Sequence, residues 1–281
     1  MSIVTISRGS YSKGKQVAEV LAHELDYECL SREILIEASD QFNIPEIKLI
    51  KALHDSPTVL ERFNHGQERY LKYFKSAFLS HIAKGNIVYH GLAGPFFLQN
   101  ISHVLKVRIT NNMSERVAEE MKREHCPRDE ALYNLKKDDE ARRKWSLQLH
   151  GKDTWDSRLY DMVLSIDSLT VDDVVEILVT TVKKKQFQET SKSLAELKQI
   201  TFLANIEAEV SIDSPYTKVK LLSDTSIELT NIHGHLQYDK SARQEFTKAM
   251  KEKFNIKEVY FGEHIQPYKG HINPFYNIDI T

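Results

Sequence analysis

An α/β domain built on a parallel sheet with helices on both faces, followed by a smaller α+β domain, is the fold class this sequence predicts. Three observations carry it. A short apolar run, Ile3, Val4 and Ile6, leads through a loop with two glycines into a helical pattern at Val17, Val20, Leu21 and Leu25. Strand-like and helix-like segments then alternate as far as residue 182, the order of a three-layer sheet. Beyond Lys183-Lys184-Lys185 the composition turns polar and the order changes to helix, strand, strand, helix, strand.

Taken in turn, residues 3–6 suit a strand buried on both faces, and residues 27–30 suit a second short one. Residues 31–83 read as mainly helical, with breaks at Pro45 and Pro57. Residues 86–89 predict a further strand that ends at Gly91-Leu92-Ala93-Gly94-Pro95, and Val-Leu-Lys-Val-Arg-Ile at 104–109 another. Asn112 or Ser114 is positioned to cap the next helix, whose apolar face is expected at Val117, Ala118 and Met121. A charge-dense segment occupies 123–144. Residues 162–166 predict the last strand of the first domain and 171–182 its last helix. The expected division is a domain over 1–185, a linker over 186–193 and a second domain over 194–281. Within the second domain, helices are predicted at 194–203 and 240–254, and strands at 218–222, 227–236 and 258–265.

The chain has 281 residues, with 38 Lys and Arg against 40 Asp and Glu, a formal net charge of -2. That balance gives no strong nucleic-acid signal, since wholesale binding of nucleic acid calls for a basic excess. Cys29 and Cys126 form no CxxC pair and read as ordinary reduced thiols. No run approaches the length of a membrane span, and the first residues lack the pattern of a signal peptide, so the cytoplasm is the expected location.

The sharpest motif is Gly9-Ser10-Tyr11-Ser12-Lys13-Gly14-Lys15-Gln16. It fits G-x-x-x-x-G-K between a strand and a helix, and departs only at Gln16, where the pattern has Ser or Thr. Glycines are expected to let the backbone wrap phosphate oxygens with its N–H groups, while the helix dipole and Lys15 add positive charge. An amide at Gln16 replaces the hydroxyl that would hold Mg²⁺. Elsewhere Arg116, Arg123, Arg128, Arg142 and Arg143 concentrate charge, and Asp139 and Arg142 are spaced to share a helix face. These arginines read either as phosphate ligands or as a solvated charged helix. Arg62, His65, Arg69, Tyr70, Tyr73 and Phe74 are candidates for an acceptor pocket, although Tyr70, Tyr73, Phe74 and Ala77 also have core spacing. Arg32 and His90 are candidates from strand ends. His233 and His235 share a strand face, yet no third ligand with convincing spacing follows, so no metal site is read there.

From Ile6 to Ala18, the segments 25–27, 31–35, 104–109, 115–116, 121–124, 139–143, 160–165 and Leu169 together resemble the cytidylate kinase-like family of bacterial proteins. The resemblance covers about residues 1–183. It implies a P-loop three-layer parallel sheet with a helical lid and monophosphate-binding insertions, beside the small C-terminal α+β domain. By the same resemblance ATP and Mg²⁺ are the expected cofactors and a nucleoside monophosphate, CMP or dCMP, the acceptor. The Asp-x-x-Arg of the lid would put Arg142 on phosphate, and Lys15, Arg142 and Arg143 are taken as catalytic. Arg32, Arg62, Arg69 and Arg123 are taken as substrate-binding. The alternative is a nucleotide-sensing regulatory protein with little turnover, because the chain has Gln16, Leu92 where the family often has an arginine, and an appended C-terminal module; Ser31, where the family often has an acid, is a further departure on the monophosphate side. Residues 192–265 look like a BON-type module, expected to regulate, or to dock a protein partner or a second copy of the chain.

Overall fold

The structure, a computed structural model, describes residues 2–31, 33–46, 48–49, 66–91 and 94–262. The chain divides into two compact units, Met1–Asn205 and Ile206–Thr281. In the first unit, strand β1 (Ile3–Arg8) leads to helix α1 (Gly14–Leu25), strand β2 (Glu28–Leu30), helix α2 (Glu33–Phe42) and helix α3 (Gly66–Ile82). Then come β3 (Ile87–His90), the short α4 (Gly94–Phe97), β4 (Val104–Thr110), α5 (Met113–Glu124), α6 (Arg128–His150), β5 (Met162–Ser165) and α7 (Val171–Val182).

The five strands form one parallel sheet in the order β2-β3-β1-β4-β5. The chain steps outward from β1 on one side and then returns past it to β4, so the carboxyl end of β1 lies where the order reverses. Open α/β sheets bind ligands at such a point. Ile6 is in register with His90 of β3 and with Val107 of β4. One face of the sheet, Val4, Ile6, Val88, Leu105 and Val107, is covered by Val17 and Leu21 of α1 and by Val174, Leu178 and Val182 of α7. On the other, Phe78 of α3 meets Tyr89 edge-on at 4.7 Å and lies 6.0 Å from Phe74. Tyr73 and Phe74 are buried beside Ala77, so core packing is the role of these two acceptor-pocket candidates. Phe42 of α2 stacks on Tyr73 at 4.1 Å. His81 closes this layer, with one ring nitrogen 2.9 Å from Glu28 and the other 2.6 Å from Glu37.

Helix α8 spans Ser191–Asp213, where the sequence predicts a linker over 186–193 and a helix over 194–203. The compact units divide inside it. The reason lies in α3, because the Oγ atoms of Ser76 and Ser80 both donate to Asn205 Oδ1 and Thr201 reaches the Leu79 carbonyl. Polarity at 186–193 marks a 3₁₀ turn at Lys185–Phe187 and a capped helix start, with Ser193 N–H donating to Thr190.

The second unit contains a separate sheet, β6 (Lys218–Ser223), β7 (Ser226–Thr230) and β8 (Glu258–Phe261), with β6 antiparallel and β8 parallel to β7. A short helix α9 (His235–Tyr238) and α10 (Lys240–Phe254) join β7 to β8, and Phe246 and Met250 are the buried side of α10. The predicted strand over 227–236 stops at Thr230. Asn231 and Gly234 both take positive φ, 56° and 71°, and turn the chain into α9. Residues 263–281, which include the end of the strand predicted over 258–265, lie outside the described residues.

Candidate active site

The loop after β1 starts from a steric fact. A Cβ built on Gly14 would lie 2.7 Å from the Cβ of Arg8, so the Arg8 stem runs directly against this glycine. A Cβ on Gly9 would meet the Arg116 guanidinium at 3.2 Å and Asp139 at 3.4 Å. The left-handed positions of the loop are Tyr11 (φ 54°) and Lys13 (φ 60°), not the glycines. The expectation that Gly9 and Gly14 supply the wrapping is therefore corrected: they supply room, and two side-chain-bearing residues carry the strain, about 1–2 kcal/mol each. Lys13 caps α1 without a side-chain hydrogen bond, and Ser12 Oγ donates to the Gly9 carbonyl at 3.0 Å.

The hairpin of α5 and α6 comes down on this loop. Val117, Ala131 and Leu135 form its small core, against which Tyr11 of the loop also packs. Asn112 caps α5 by accepting from the Glu115 N–H. On α5 the buried face includes Arg116 and Glu120 beside Val117, whereas Ala118 is exposed, so the expected apolar face is partly replaced by a polar one. Arg116, 7% exposed, donates both Nη atoms to Asp139 at 2.9 Å and its Nε to the Ser10 carbonyl at 2.8 Å. Arg142 donates Nη2 to Ser10 Oγ at 2.9 Å and lies 3.6 Å from Asp139. Ser10 Oγ in turn donates to Asp138 at 3.0 Å. Asp139 and Arg142 do share a face, as their spacing predicts, and that face meets the phosphate loop.

Arg143 goes elsewhere. It grips Asp153 through Nε and Nη2, at 2.6 Å for the shortest contact, and its guanidinium lies 4.5 Å from the centroid of Trp155. Hydrogen bonding to Asp153 raises the Arg143 pKa, and the same bond lowers that of Asp153. Neighbours on a helix diverge by about 100°, so only one of the adjacent arginines can face the loop.

Between loop and hairpin lies a cleft of about 1300 Å³, lined by Ser10 to Gln16 and by residues of α5 and α6. Lys15 projects into it, its side chain 64% exposed and paired with Glu19 at 3.5 Å. Such an exposed i,i+4 pair is worth only about 0.3–0.5 kcal/mol and is readily exchanged. Arg123 lies 5.7 Å from the Tyr11 ring centroid at the cleft rim. Toward β4 a smaller cavity of about 290 Å³ is lined by Gly9, Thr110, Arg116, Asp139 and Trp155. Arg69 is on α3 with its Nε buried and unbonded, while Arg32 and Arg62 lie outside the described residues.

Two residues near this site have environments that sequence reading misses or undervalues. Arg8 carries no acid partner among the described residues, and burial, then Arg142, lower its pKa. His90, 5% exposed at the end of β3, is pushed down to about 4 by burial and then by Arg8. His150, at the end of α6 and stacked on Phe96 at 4.7 Å, is likewise pushed down to about 4 by burial and then Lys75. A histidine with a depressed folded-state pKa stabilises fully above the unfolded value near 6.5 and loses that contribution as pH falls toward 4. Stability is expected to fall by roughly 2 kcal/mol per histidine between pH 7 and 5. Urea unfolding at both pH values checks this, with His90→Gln and His150→Gln each flattening the profile by its own share.

The sequence profile of the cytidylate kinase-like family matches residues 3–168, more than half of the chain. A cytidylate kinase of Sulfolobus acidocaldarius is 22% identical over 182 residues, 64% of this chain and 94% of that one. Among solved structures, an uncharacterized protein from Eubacterium ventriosum is 21% identical, with a TM-score of 0.50, covering 66% of this chain and 100% of that one. A shikimate kinase from Bacteroides thetaiotaomicron is 11% identical, with a TM-score of 0.41, covering 65% and 99%. With its parallel sheet, its phosphate loop and the matched residues taken together, the chain belongs to the cytidylate kinase-like family.

Proposed function

We propose that the protein transfers the γ-phosphoryl group of ATP to a nucleoside monophosphate, CMP or dCMP, in the cytoplasm. The observation that carries this reading is the hydrogen bond from Arg142 of α6 to Ser10 of the loop, which brings a second cation over the ground that Lys15 serves. Phosphoryl transfer needs positioning and charge stabilisation more than covalent help. The loop N–H groups and the α1 dipole hold the β and γ phosphates, Lys15 neutralises the charge between them, and Arg142 covers the transferring group. The acceptor phosphate supplies the attacking oxygen, so no strong base is required. The loop and the 1300 Å³ cleft fit a nucleotide. Mg²⁺ would neutralise phosphate charge. The chain offers it little directly, since Gln16 has no hydroxyl, Ser10 is engaged by Asp138 and Arg142 of α6 and Ser12 by the Gly9 carbonyl, so the cation would be held by the phosphates and water. The second unit is proposed to regulate or dock, the role expected of the BON-type module that its sequence resembles.

The test is ADP production by the full-length protein with Mg-ATP against a panel of monophosphates. Turnover on CMP or dCMP is expected, and Arg142→Ala is expected to lower kcat by about 10²–10³ while ATP affinity changes only a few-fold. A protein that binds ATP tightly and turns over no monophosphate would be a nucleotide sensor instead.

A further inference from the structure

Arg8 is a half-buried cation at the wall of the cleft, without a counter-ion among the described residues. Its Nε makes no hydrogen bond, and no carboxylate pairs with it among the described residues. The contrast with Arg116, across the same loop, is direct, because Arg116 has both forks filled by Asp139. Two further buried nitrogens nearby make no hydrogen bond: Nη1 of Arg142, though it lies 3.6 Å from Asp139, and Nδ1 of His90. Unpartnered buried donors are costly and rare, and a group of them at one place calls for an acceptor.

Their placement selects which acceptor. Arg8 and His90 end the adjacent strands β1 and β3 at the carboxyl edge of the sheet. The charged groups facing His90 are Arg8 from β1, Lys15 and Glu19 from α1, and Glu33 from α2. Glu33 is already held by the Ser31 N–H at 2.6 Å. The donors thus lie between Lys15 and the start of α2, on the β3 side of the loop, opposite the cavity on its β4 side.

We propose that Arg8, with His90 beside it and Arg142 above, seats the phosphate of the acceptor, a phosphomonoester dianion placed in line with the nucleotide in the loop. The inference rests on the kinase reading and adds to it the group that holds the second substrate. A planar guanidinium can take two oxygens of one phosphate while its stem stays against Gly14. Two roles then fall to one residue: the stem supports the loop and the head reads the acceptor.

Arg8→Met keeps the stem and removes the charge, and Arg8→Lys keeps both but loses the fork, so melting curves near wild type are expected for each. With Mg-ATP and varied CMP, Arg8→Met is expected to raise the KM for CMP by about 10- to 100-fold. Arg8→Lys should raise it less, and ATP affinity by calorimetry should stay within about 3-fold for both. An unchanged KM, or an equal loss for ATP, would overturn the assignment. If wild-type protein turns over no monophosphate, the kinase reading fails on its own. Calorimetry with CMP and with inorganic phosphate then decides the role of Arg8. Binding by wild type that is lost in Arg8→Met upholds the seat; no binding by wild type, or equal binding by both, overturns it.

Discussion

Lys15→Ala is expected to remove most triphosphate affinity and to cut turnover by about 10²–10³, some 3–4 kcal/mol of transition-state stabilisation. The fold should not notice. The side chain is 64% exposed, and its ion pair is with Glu19, one turn along the same helix. Its charge therefore contributes little to folding and lies free for the ligand. Calorimetry with ATP beside a melting curve separates the two effects: affinity should fall while the melting temperature stays within about a degree of wild type. Full ATP affinity and turnover in Lys15→Ala would remove the phosphate-loop assignment on which the proposed chemistry stands.

Asp139→Ala is expected to act in the opposite way, through stability first. Asp139 neutralises Arg116, which is buried and also ties α5 to the Ser10 carbonyl. Removing one partner of a buried pair leaves the other uncompensated, at a cost of about 3–5 kcal/mol. Urea unfolding should register that loss. The double variant Arg116→Met, Asp139→Leu should recover much of the stability, since apolar groups of similar size replace a buried pair at little cost. It should not recover turnover, because Arg142 would then lose Asp139 at 3.6 Å and keep only Asp138 at 4.0 Å. Stability and turnover restored together would mean that the pair has no part in positioning the lid arginine.

Much of this was legible in the sequence because local chemistry decides it. Helices α7 and α10 begin and end where their residues predict, and each carries its own start signal: Thr170 with Asp173 as a capping box, and Asp239 accepting from the N–H groups of Ser241 and Ala242. The strand, loop and helix at 3–25 are legible for the same reason. What escapes is what a distant partner decides. Arg116 and Glu120 look like surface residues of α5 until the loop and α6 are brought against them. The spacing from Asp139 singles out Arg142, but nothing local tells where Arg143 goes, and Asp153 ten residues on draws it away. The reach of α8 past Leu203 depends on serines of α3 more than 100 positions earlier. Arg8 escaped because it sits one residue before the motif, where a chemical role is not sought.

The lining of the large cleft has a consequence for the speed of capture. Six basic residues face it, and so do seven acidic ones, among them Glu115, Glu119, Glu120, Glu124 and Glu130. Long-range attraction of a polyanion needs a field of one sign, and here the signs nearly cancel. A nucleotide would then arrive by unassisted diffusion, at roughly 10⁵–10⁷ M⁻¹ s⁻¹, and ionic strength would change that rate little. Discrimination would be left to the last few ångströms, where, on the proposed reading, Lys15 would exchange Glu19 for phosphate.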